Sequence, residues 1–483
     1  MSQKLVPGSK QVLHTRLWQL RFRERRTLLL FGDFLVGVIS LLGSLYYWGI
    51  NERFMGPTME FLQKRVPFWF YFLPVVWLVL MIELYDMHRA ADWGKTVKGI
   101  AAAAVIGLML YLFLYFSYSI PPKSLLPRRG VASFLILVSV LTMLWRFLYI
   151  RVFTAARFMR RVLLVGGGQS GGLMLQVING LKVKPFSVVG IVDDDHRKLG
   201  QTIEGHQVIG TSEQLLKLIE ENNVSDLIVA ITGKLEEGMF QGLLEAQEMG
   251  VEIIRMPTVY EDLLGRVPVA SLEADWILHT FVDQARTNSF YETGKRLLDI
   301  IGGLVGLLLM AIAFPFVALM TILDDGLPIF YSQTRTGRGG QPYEILKFRT
   351  MRRDAEADGR PKWAKEDDER ATRAGRFLRK THLDELPQFF NVLRGEMSLV
   401  GPRAERPELV SMFEKHIPFY RARLLVKPGI TGWAQVNYGY ASNVEETSIK
   451  LEYDLYYIKH RDMMLDIIVL LRTPANVLGL RGR

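Results

Sequence analysis

The chain has 483 residues, a formal net charge of +10, 49% hydrophobic residues and no cysteine. Its length suggests about three domains of ~150 residues. The absence of cysteine excludes disulfides, thiolate metal sites and cysteine nucleophiles. The basic excess points to anionic partners: nucleic acid, anionic lipid or phosphorylated substrates.

Four apolar stretches occupy the first third, at about 28–48, 67–84, 99–118 and 131–150. Each approaches the ~20 residues that cross a bilayer as a helix. Aromatic residues near their ends (Tyr46, Tyr47, Trp48, Trp69, Tyr71, Tyr149) suit the membrane interface. Arg16, Arg21, Arg23, Arg25 and Arg26 in the N-terminal tail predict a cytoplasmic start. No small-residue cleavage site follows the first run, which argues against a removed signal peptide. An even number of spans returns the chain to the cytoplasm near Arg151, Arg157, Arg160 and Arg161. Lys123, Arg128 and Arg129 run against that orientation. Asp33 lies within the first span and is expected to pair or to snorkel. With membrane segments present, lipid and phosphorylated substrates become the expected partners, and no nucleic acid is expected.

From Arg161 the pattern becomes alternating strands and helices. Strands are predicted at 162–165, 186–192, 226–231 and 251–256, with helices near 213–222 and 236–249. That alternation implies a parallel α/β sheet of Rossmann type. The first strand runs into Gly166-Gly167-Gly168-Gln169-Ser170-Gly171, a G-x-G-x-x-G loop, and the second ends at Asp193-Asp194-Asp195. Gly166, Gly168 and Gly171 are candidate nucleotide-binding positions. The same glycines also serve simply to turn a strand tightly into a helix, and that structural or regulatory use is favoured. Tyr291 and Lys295 have the Y-x-x-x-K spacing of short-chain nucleotide-sugar dehydratases and epimerases. The pair, however, stands at the threshold of a long apolar segment, outside the α/β region.

That segment, 300–323, is long enough to cross a membrane. Cations flank both sides: Lys295 and Arg296 before it, Arg335, Arg338, Lys347, Arg349, Arg352 and Arg353 after it. Both ends are therefore expected on the cytoplasmic face. Pro315 in its second half removes a backbone hydrogen bond and predicts a bend. A re-entrant helix that enters and leaves by one face satisfies both. A kinked fifth span is the alternative. Near the C-terminus, 463–471 is apolar but short, as suits a helix lying in the interface.

The segment Leu383-Asp384-Glu385-Leu386-Pro387-Gln388 follows Arg373, Arg376, Arg379 and Lys380. A helix is predicted over 386–394, with Pro387 in its first turn and Gly395 as its stop. Asp384 and Glu385 then sit at its N-terminus, where N–H groups favour anions. Two carboxylates beside several cations suit phosphate chemistry with a bridging metal ion. Acidic residues at helix starts are also ordinary caps. His382 is read as a polar neighbour of the pair.

Four motifs occur in sequence: K-F-R-T-M at 347–351, L-D-E-L-P-Q at 383–388, M-S-L-V-G-P-R at 397–403 and P-G-I-T-G-W-A-Q-V-N at 428–437. Together they resemble the bacterial sugar transferases of the monotopic phosphoglycosyl transferase family. The resemblance is specific over 291–483, and the N-terminal parts resemble the family's long form. It implies a membrane protein of mixed class: a four-helix transmembrane N-terminus (1–155), a Rossmann-like α/β middle domain (156–285), and an α-rich catalytic domain (286–483) with a re-entrant helix at 300–323. The middle and catalytic domains would lie on the cytoplasmic face of the bacterial inner membrane. The implied reaction transfers a sugar-1-phosphate from a UDP-sugar to undecaprenyl phosphate through an aspartyl adduct on Asp384, releasing UMP, in exopolysaccharide or O-antigen initiation. Glu385, with Asp384, would hold Mg²⁺. Arg379, Arg403, Lys347 and Arg349 match phosphate-binding positions, and Pro315 matches the break in the re-entrant helix. Two positions depart from the family pattern. Ala404 stands where proline is common, and Tyr438-Gly439-Tyr440 stands where many members continue Gly-Arg. Sugar preference is therefore not carried over, and the sequence leaves a homodimer open. The alternatives are a membrane-tethered dehydratase or epimerase using Tyr291 and Lys295, and a non-enzymatic nucleotide-sensing scaffold.

Overall fold

Apolar side chains on long helices shape both ends of the chain. The computed structural model describes residues 22–51, 58–85, 90, 92–117, 127–153, 159–181, 184, 186–272, 289–352, 355, 370–439 and 443–477. Arg16, Arg21, Lys123, Arg157, Arg353 and both expected domain boundaries (155/156 and 285/286) lie outside the described residues. The chain divides into two compact units, Met1–Met256 and Pro257–Arg483.

The first unit begins with helices α1 (Phe22–Asn51), α2 (Met59–Lys64), α3 (Leu73–Leu80), α4 (Trp93–Ser117) and α5 (Arg128–Phe153). Within this unit α1, α4 and α5 are long and apolar enough to span a membrane. Their outward surfaces carry Leu42, Met109, Phe113, Phe116, Ile136 and Val140, all exposed. So much contiguous apolar surface belongs in lipid rather than water. The second predicted span, 67–84, is not one helix. It breaks into a 3₁₀ turn (Phe68–Phe72), α3 and a second 3₁₀ turn (Ile82–Tyr85). Pro74 lies in the first turn of α3, where its missing N–H fixes a helix start. Eight residues of α3 rise only ~12 Å, against ~30 Å of hydrocarbon. The expected four-helix transmembrane N-terminus is thus three membrane-length helices and a broken apolar segment. Asp33 pairs with Arg146 at 2.6 Å, both side chains fully buried. Arg146 also donates to the Leu84 carbonyl at 2.9 Å, which ties α1, α5 and the broken segment together.

The α/β part follows: β1 (Arg160–Val165), α6 (Gln169–Gly180), β2 (Phe186–Val192), β3 (Thr202–Ile203), β4 (His206–Gly210), α7 (Leu215–Asn222), β5 (Asp226–Val229), α8 (Glu237–Glu248) and β6 (Glu252–Arg255). The sheet order is β3-β4-β2-β1-β5-β6. All pairings are parallel except β3 with β4, which turn through Glu204 and Gly205 at positive φ. This edge hairpin makes the sheet mixed. Leu163, Val165, Leu215, Leu227, Met239 and Leu243 form its core.

The second unit contains most of α9 (Met256–Leu264), then α10 (Ser289–Asp325), β7 (Phe330–Thr336), β8 (Pro342–Phe348), α11 (Arg373–Thr381), α12 (Gln388–Arg394), β9 (Ser398–Val400), α13 (Pro407–His416), β10 (Gly429–Thr431), α14 (Trp433–Asn437), α15 (Val444–His460) and α16 (Met463–Val477). Strands β7 and β8 form an antiparallel hairpin, and β9 pairs parallel to β10. Helix α10 runs unbroken for 37 residues with Pro315 inside it, beginning well before the predicted 300. Both of its halves pack on this one unit. Gly302, Gly303 and Gly306 lie against Leu399, Leu393 and Phe389. Beyond Pro315, Val317 packs with Phe348 and Leu378.

Candidate active site

Three short segments converge on Asp384 and Glu385. Strand alternation sends Phe348 into the core with Leu378 and Val317, and leaves its neighbour Lys347 on the other face. Helix α11 is N-capped by Thr372, whose hydroxyl accepts from the Gly375 N–H at 2.9 Å. Asp324, at the end of α10, accepts from the Ala374 N–H at 2.6 Å. His382 ends α11 in the left-handed region (φ 56°). It thereby turns the chain into a 3₁₀ turn, Leu383–Glu385. Leu383 and Leu386 pack with the cluster of Phe348 and Leu378, which orients the two carboxylates between them. Helix α12 then closes at Gly395 (φ 85°), as the sequence predicts.

Glu385 Oε1 accepts from Lys347 Nζ at 2.8 Å and from Arg403 Nη2 at 3.0 Å. Lys347 Nζ is also 4.0 Å from Asp384 Oδ2. Arg379 donates to the Thr350 hydroxyl at 3.1 Å. Burial pushes the Asp384 carboxyl up, Lys347 opposes the shift, Glu385 adds to it, and Arg379 and Arg403 oppose it more weakly. Burial works against ionisation of Glu385 too, but Lys347 and Arg403 hold its carboxyl well below the usual range. The neighbours are thus unequal. Glu385 is a fixed anion within a cationic clamp, and Asp384 is the more basic carboxylate. Of the predicted residues, Lys347, Arg379, Arg403, Asp384 and Glu385 are brought together.

Arg349 departs from the phosphate-binding expectation. Its buried guanidinium donates to the backbone carbonyls of Asp325 (3.0 Å) and Gly326, and pairs with the Asp325 carboxylate at 3.4 Å. It satisfies the C-terminal end of α10. Tyr291 and Lys295 also have other work. Tyr291 donates to Asp466 at 3.0 Å, and Lys295 binds Asp466 at 2.9 Å, with the Val400 carbonyl and the Tyr457 hydroxyl each at 3.0 Å. Asp466 is completely buried, so it anchors α16 to α10.

Several positioning residues carry no motif role in the sequence reading. Asn391, fully buried, donates to the Glu344 carbonyl (2.8 Å) and to Glu396 (2.7 Å), and accepts from the Leu346 N–H at 3.1 Å. It locks α12 to the strand that carries Lys347. Arg423 donates to the Arg403 carbonyl at 2.9 Å and pairs with buried Asp454 at 2.9 Å. A polar residue on the core-facing side of an apolar helix is the signal that could have revealed Asn391. No pattern marks Arg423.

The bacterial sugar transferase family model matches residues 290–479, which contain every residue of this cluster. A Bacillus subtilis (strain 168) protein, provisionally named an undecaprenyl-phosphate N-acetylgalactosaminyl 1-phosphate transferase, is 44% identical over 150 residues, covering 30% of this chain and 81% of that protein. The chain belongs to the bacterial sugar transferase family. Longer relatives of this transferase domain include an Aeromonas hydrophila UDP-N-acetylgalactosamine-undecaprenyl-phosphate N-acetylgalactosaminephosphotransferase, 37% identical over 47% of this chain and 52% of its own length. A Xanthomonas campestris pv. campestris UDP-glucose:undecaprenyl-phosphate glucose-1-phosphate transferase is 31% identical over 57% of each chain. The chain thus spans about half the length of these two curated relatives.

A CoA-binding domain family model matches residues 81–257. In that stretch the glycine loop forms as predicted. Gly166 adopts φ 102°, and a Cβ at Gly171 would strike the Gly166 carbonyl oxygen. Asp193 accepts from the Gly167 N–H at 2.7 Å and pairs with Lys198 at 2.8 Å. The loop and the acid after β2 therefore bind each other. Burial opposes ionisation of Asp193, while Lys198 and the N–H groups of Asp195 and Gly167 hold its carboxyl below the usual range.

Proposed function

We propose that this chain transfers a sugar-1-phosphate from a UDP-sugar to undecaprenyl phosphate, as the first membrane step of exopolysaccharide or O-antigen assembly. The observation that carries the reading is a buried, basic Asp384 carboxylate beside Lys347, Arg379 and Arg403, in a chain whose relatives are named for such transfers. An Asp384 oxygen attacks the β-phosphorus of the donor. The bond from that phosphorus to the bridging oxygen breaks, UMP departs with the electron pair, and an acyl phosphate bearing the sugar remains. A phosphate oxygen of the acceptor then attacks the same phosphorus. The Asp384–phosphorus bond breaks, the carboxylate is restored and the polyprenyl-diphospho-sugar leaves. Two easier displacements replace one hard one. Lys347, Arg379 and Arg403 offset the charge that repels an anionic nucleophile from a pyrophosphate.

Asp384 and Glu385 are the residues that would hold Mg²⁺. Among the described residues no cluster of three His, Asp or Glu side chains accompanies them. A carboxylate pair fits an ion that commonly fills its remaining positions with water and substrate phosphate. Bound there, Mg²⁺ would neutralise the donor pyrophosphate. The catalytic part belongs on the cytoplasmic face of the bacterial inner membrane. The packing of both halves of α10 on one unit, with Pro315 between them, supports a re-entrant helix.

The test is UMP release from UDP-glucose or UDP-galactose with undecaprenyl phosphate and Mg²⁺. Asp384→Asn should abolish release, and Tyr291→Phe should keep most of it. Rapid-quench mass spectrometry should place the sugar-phosphate on Asp384. UMP release at the wild-type rate from Asp384→Asn would refute the mechanism.

A further inference from the structure

We propose that a second cavity in the C-terminal unit, lined by Lys295, Arg296, Arg338, Lys427 and Arg461, binds a phosphate group. The cavity holds about 50 Å³ and includes none of Asp384, Glu385, Lys347, Arg379 or Arg403. That volume suits one small anionic head and falls far short of the ~300 Å³ of an ordinary drug-sized pocket.

The five cations share the cavity with Glu292 and Asp299. Both acids are engaged. Glu292 lies 3.4 Å from Arg461. Asp299 accepts from the Ser398 hydroxyl at 2.9 Å and from the Leu399 N–H at 2.8 Å. Lys295 is held by Asp466, and Arg296 donates to the Val392 and Leu393 carbonyls at 2.8 and 2.7 Å. Lys427 and Arg338 remain, and among the described residues neither has a carboxylate within 4 Å. Burial, followed by Arg296, pushes the Lys427 ammonium below its ordinary range; Asp299 and, less, Glu292 oppose this, and Arg338 adds to it. Crowded cations with this little compensation are stabilised by an anion.

Lipid-type surface lies on α10, which lines the cavity, and on α16, whose Asp466 holds the lining Lys295. Phe290, Leu297 and Ile301 on α10 and Met464, Ile467 and Leu471 on α16 are exposed. Cations beside such a surface sit at headgroup depth when the surface enters a bilayer. A phosphate there can come from a phospholipid head or from a water-soluble phosphate. The site stands independently of the sugar-transfer reading.

The test uses the full chain in a phosphate-free detergent. Lysines are labelled with an amine-reactive reagent and read by mass spectrometry, in the presence of inorganic pyrophosphate, dihexanoyl phosphatidylglycerol or the matching diacylglycerol. A phosphate-bearing probe should protect Lys427, and diacylglycerol should not. Protection by phosphatidylglycerol alone assigns the site to lipid, and protection by pyrophosphate alone assigns it to a soluble phosphate. Arg338→Gln, at an exposed position, should raise the half-protecting concentration about tenfold, a loss of ~1.4 kcal/mol. Lys347 in the same digest reports the Asp384 site separately. Equal labelling of Lys427 under all three conditions overturns the proposal.

Discussion

At the scale of single residues, the catalytic proposal turns on how Lys347 divides its charge between two carboxylates. It binds Glu385 at 2.8 Å and faces Asp384 at 4.0 Å. Burial already pushes Asp384 up, and Lys347 is the leading influence that keeps it ionised. Lys347→Met therefore has a signed effect. The Asp384 carboxyl rises further, less of it is ionised at a given pH, and the acid limb of the UMP-release profile moves to higher pH. Turnover on the plateau should fall by ~10²-fold, as for loss of one preorganised electrostatic partner. An acid limb that stays put or moves down would remove Lys347 from this role. The sequence made Lys347, Arg379, Asp384, Glu385 and Arg403 legible because each belongs to a compact motif. It does not show that Arg349, two positions from Lys347 along the chain, turns towards the end of α10, because a motif does not say which cation takes which partner. Asn391 and Arg423 act through backbone contacts made far along the chain, and local spacing does not encode such contacts.

At the scale of elements, α12 is placed by a stripe of small residues. Gly303 and Gly306 are buried on α10, and a Cβ at Gly306 would strike the Phe389 ring. Gly306→Val should push α12 off α10, costing ~1–3 kcal/mol by overpacking and lowering UMP release more than it lowers Tm. Shrinking the opposing side chain in Gly306→Val/Phe389→Leu should recover part of both. Additive losses in the double variant would show that this contact does not position the site. A second element carries a pH dependence. The segment after Met256 is held to α15 by the Val267 N–H on the Glu452 carbonyl at 3.1 Å and by Tyr260 on the Glu452 carboxylate at 3.1 Å. Burial raises the Glu452 carboxyl to about 7, against opposing effects of Arg266 and Tyr260. A raised folded-state value stabilises fully below the unfolded value of ~4.5 and is lost as pH rises through about 7. Hydrogen exchange across 257–269, corrected for intrinsic rate, should therefore speed up between pH 5 and pH 8, and Glu452→Gln should flatten the trend. Protection that grows with pH would reverse the assignment. The periodic strands and helices of the middle region were legible because alternation is local. The β3–β4 edge was not, since two residues on either side of a Glu-Gly turn give no periodic signal.

At the scale of the whole molecule, the question is how a helix of 37 residues meets a membrane. Its length is ~55 Å, of which the apolar run 300–323 accounts for ~36 Å, close to the ~30 Å of hydrocarbon. Its first half is fixed by Lys295 on Asp466 and by the glycine contacts with Leu393, Leu399 and Phe389. Its last turn is fixed by Asp324 on the α11 N-terminus and by Arg349 on the Asp325 and Gly326 carbonyls. A crossing helix would have to leave one of these sets on the far side of the bilayer, whereas both belong to the same compact unit. The middle of α10 still needs an apolar medium, because Leu304, Leu308, Ile312 and Phe316 are all exposed. On the proposed re-entrant reading, entry and return by one face would satisfy both demands, and Pro315 is where the otherwise unbroken helix lacks a backbone hydrogen bond and would bend. The lack of native cysteine makes this directly measurable. Thr293→Cys and Gln341→Cys, both at exposed positions on opposite sides of the apolar run, should react with a membrane-impermeant maleimide from the same side of sealed vesicles. Labelling from opposite sides would make α10 a true span, and the two sets of contacts that place Asp384 could not then coexist in the membrane.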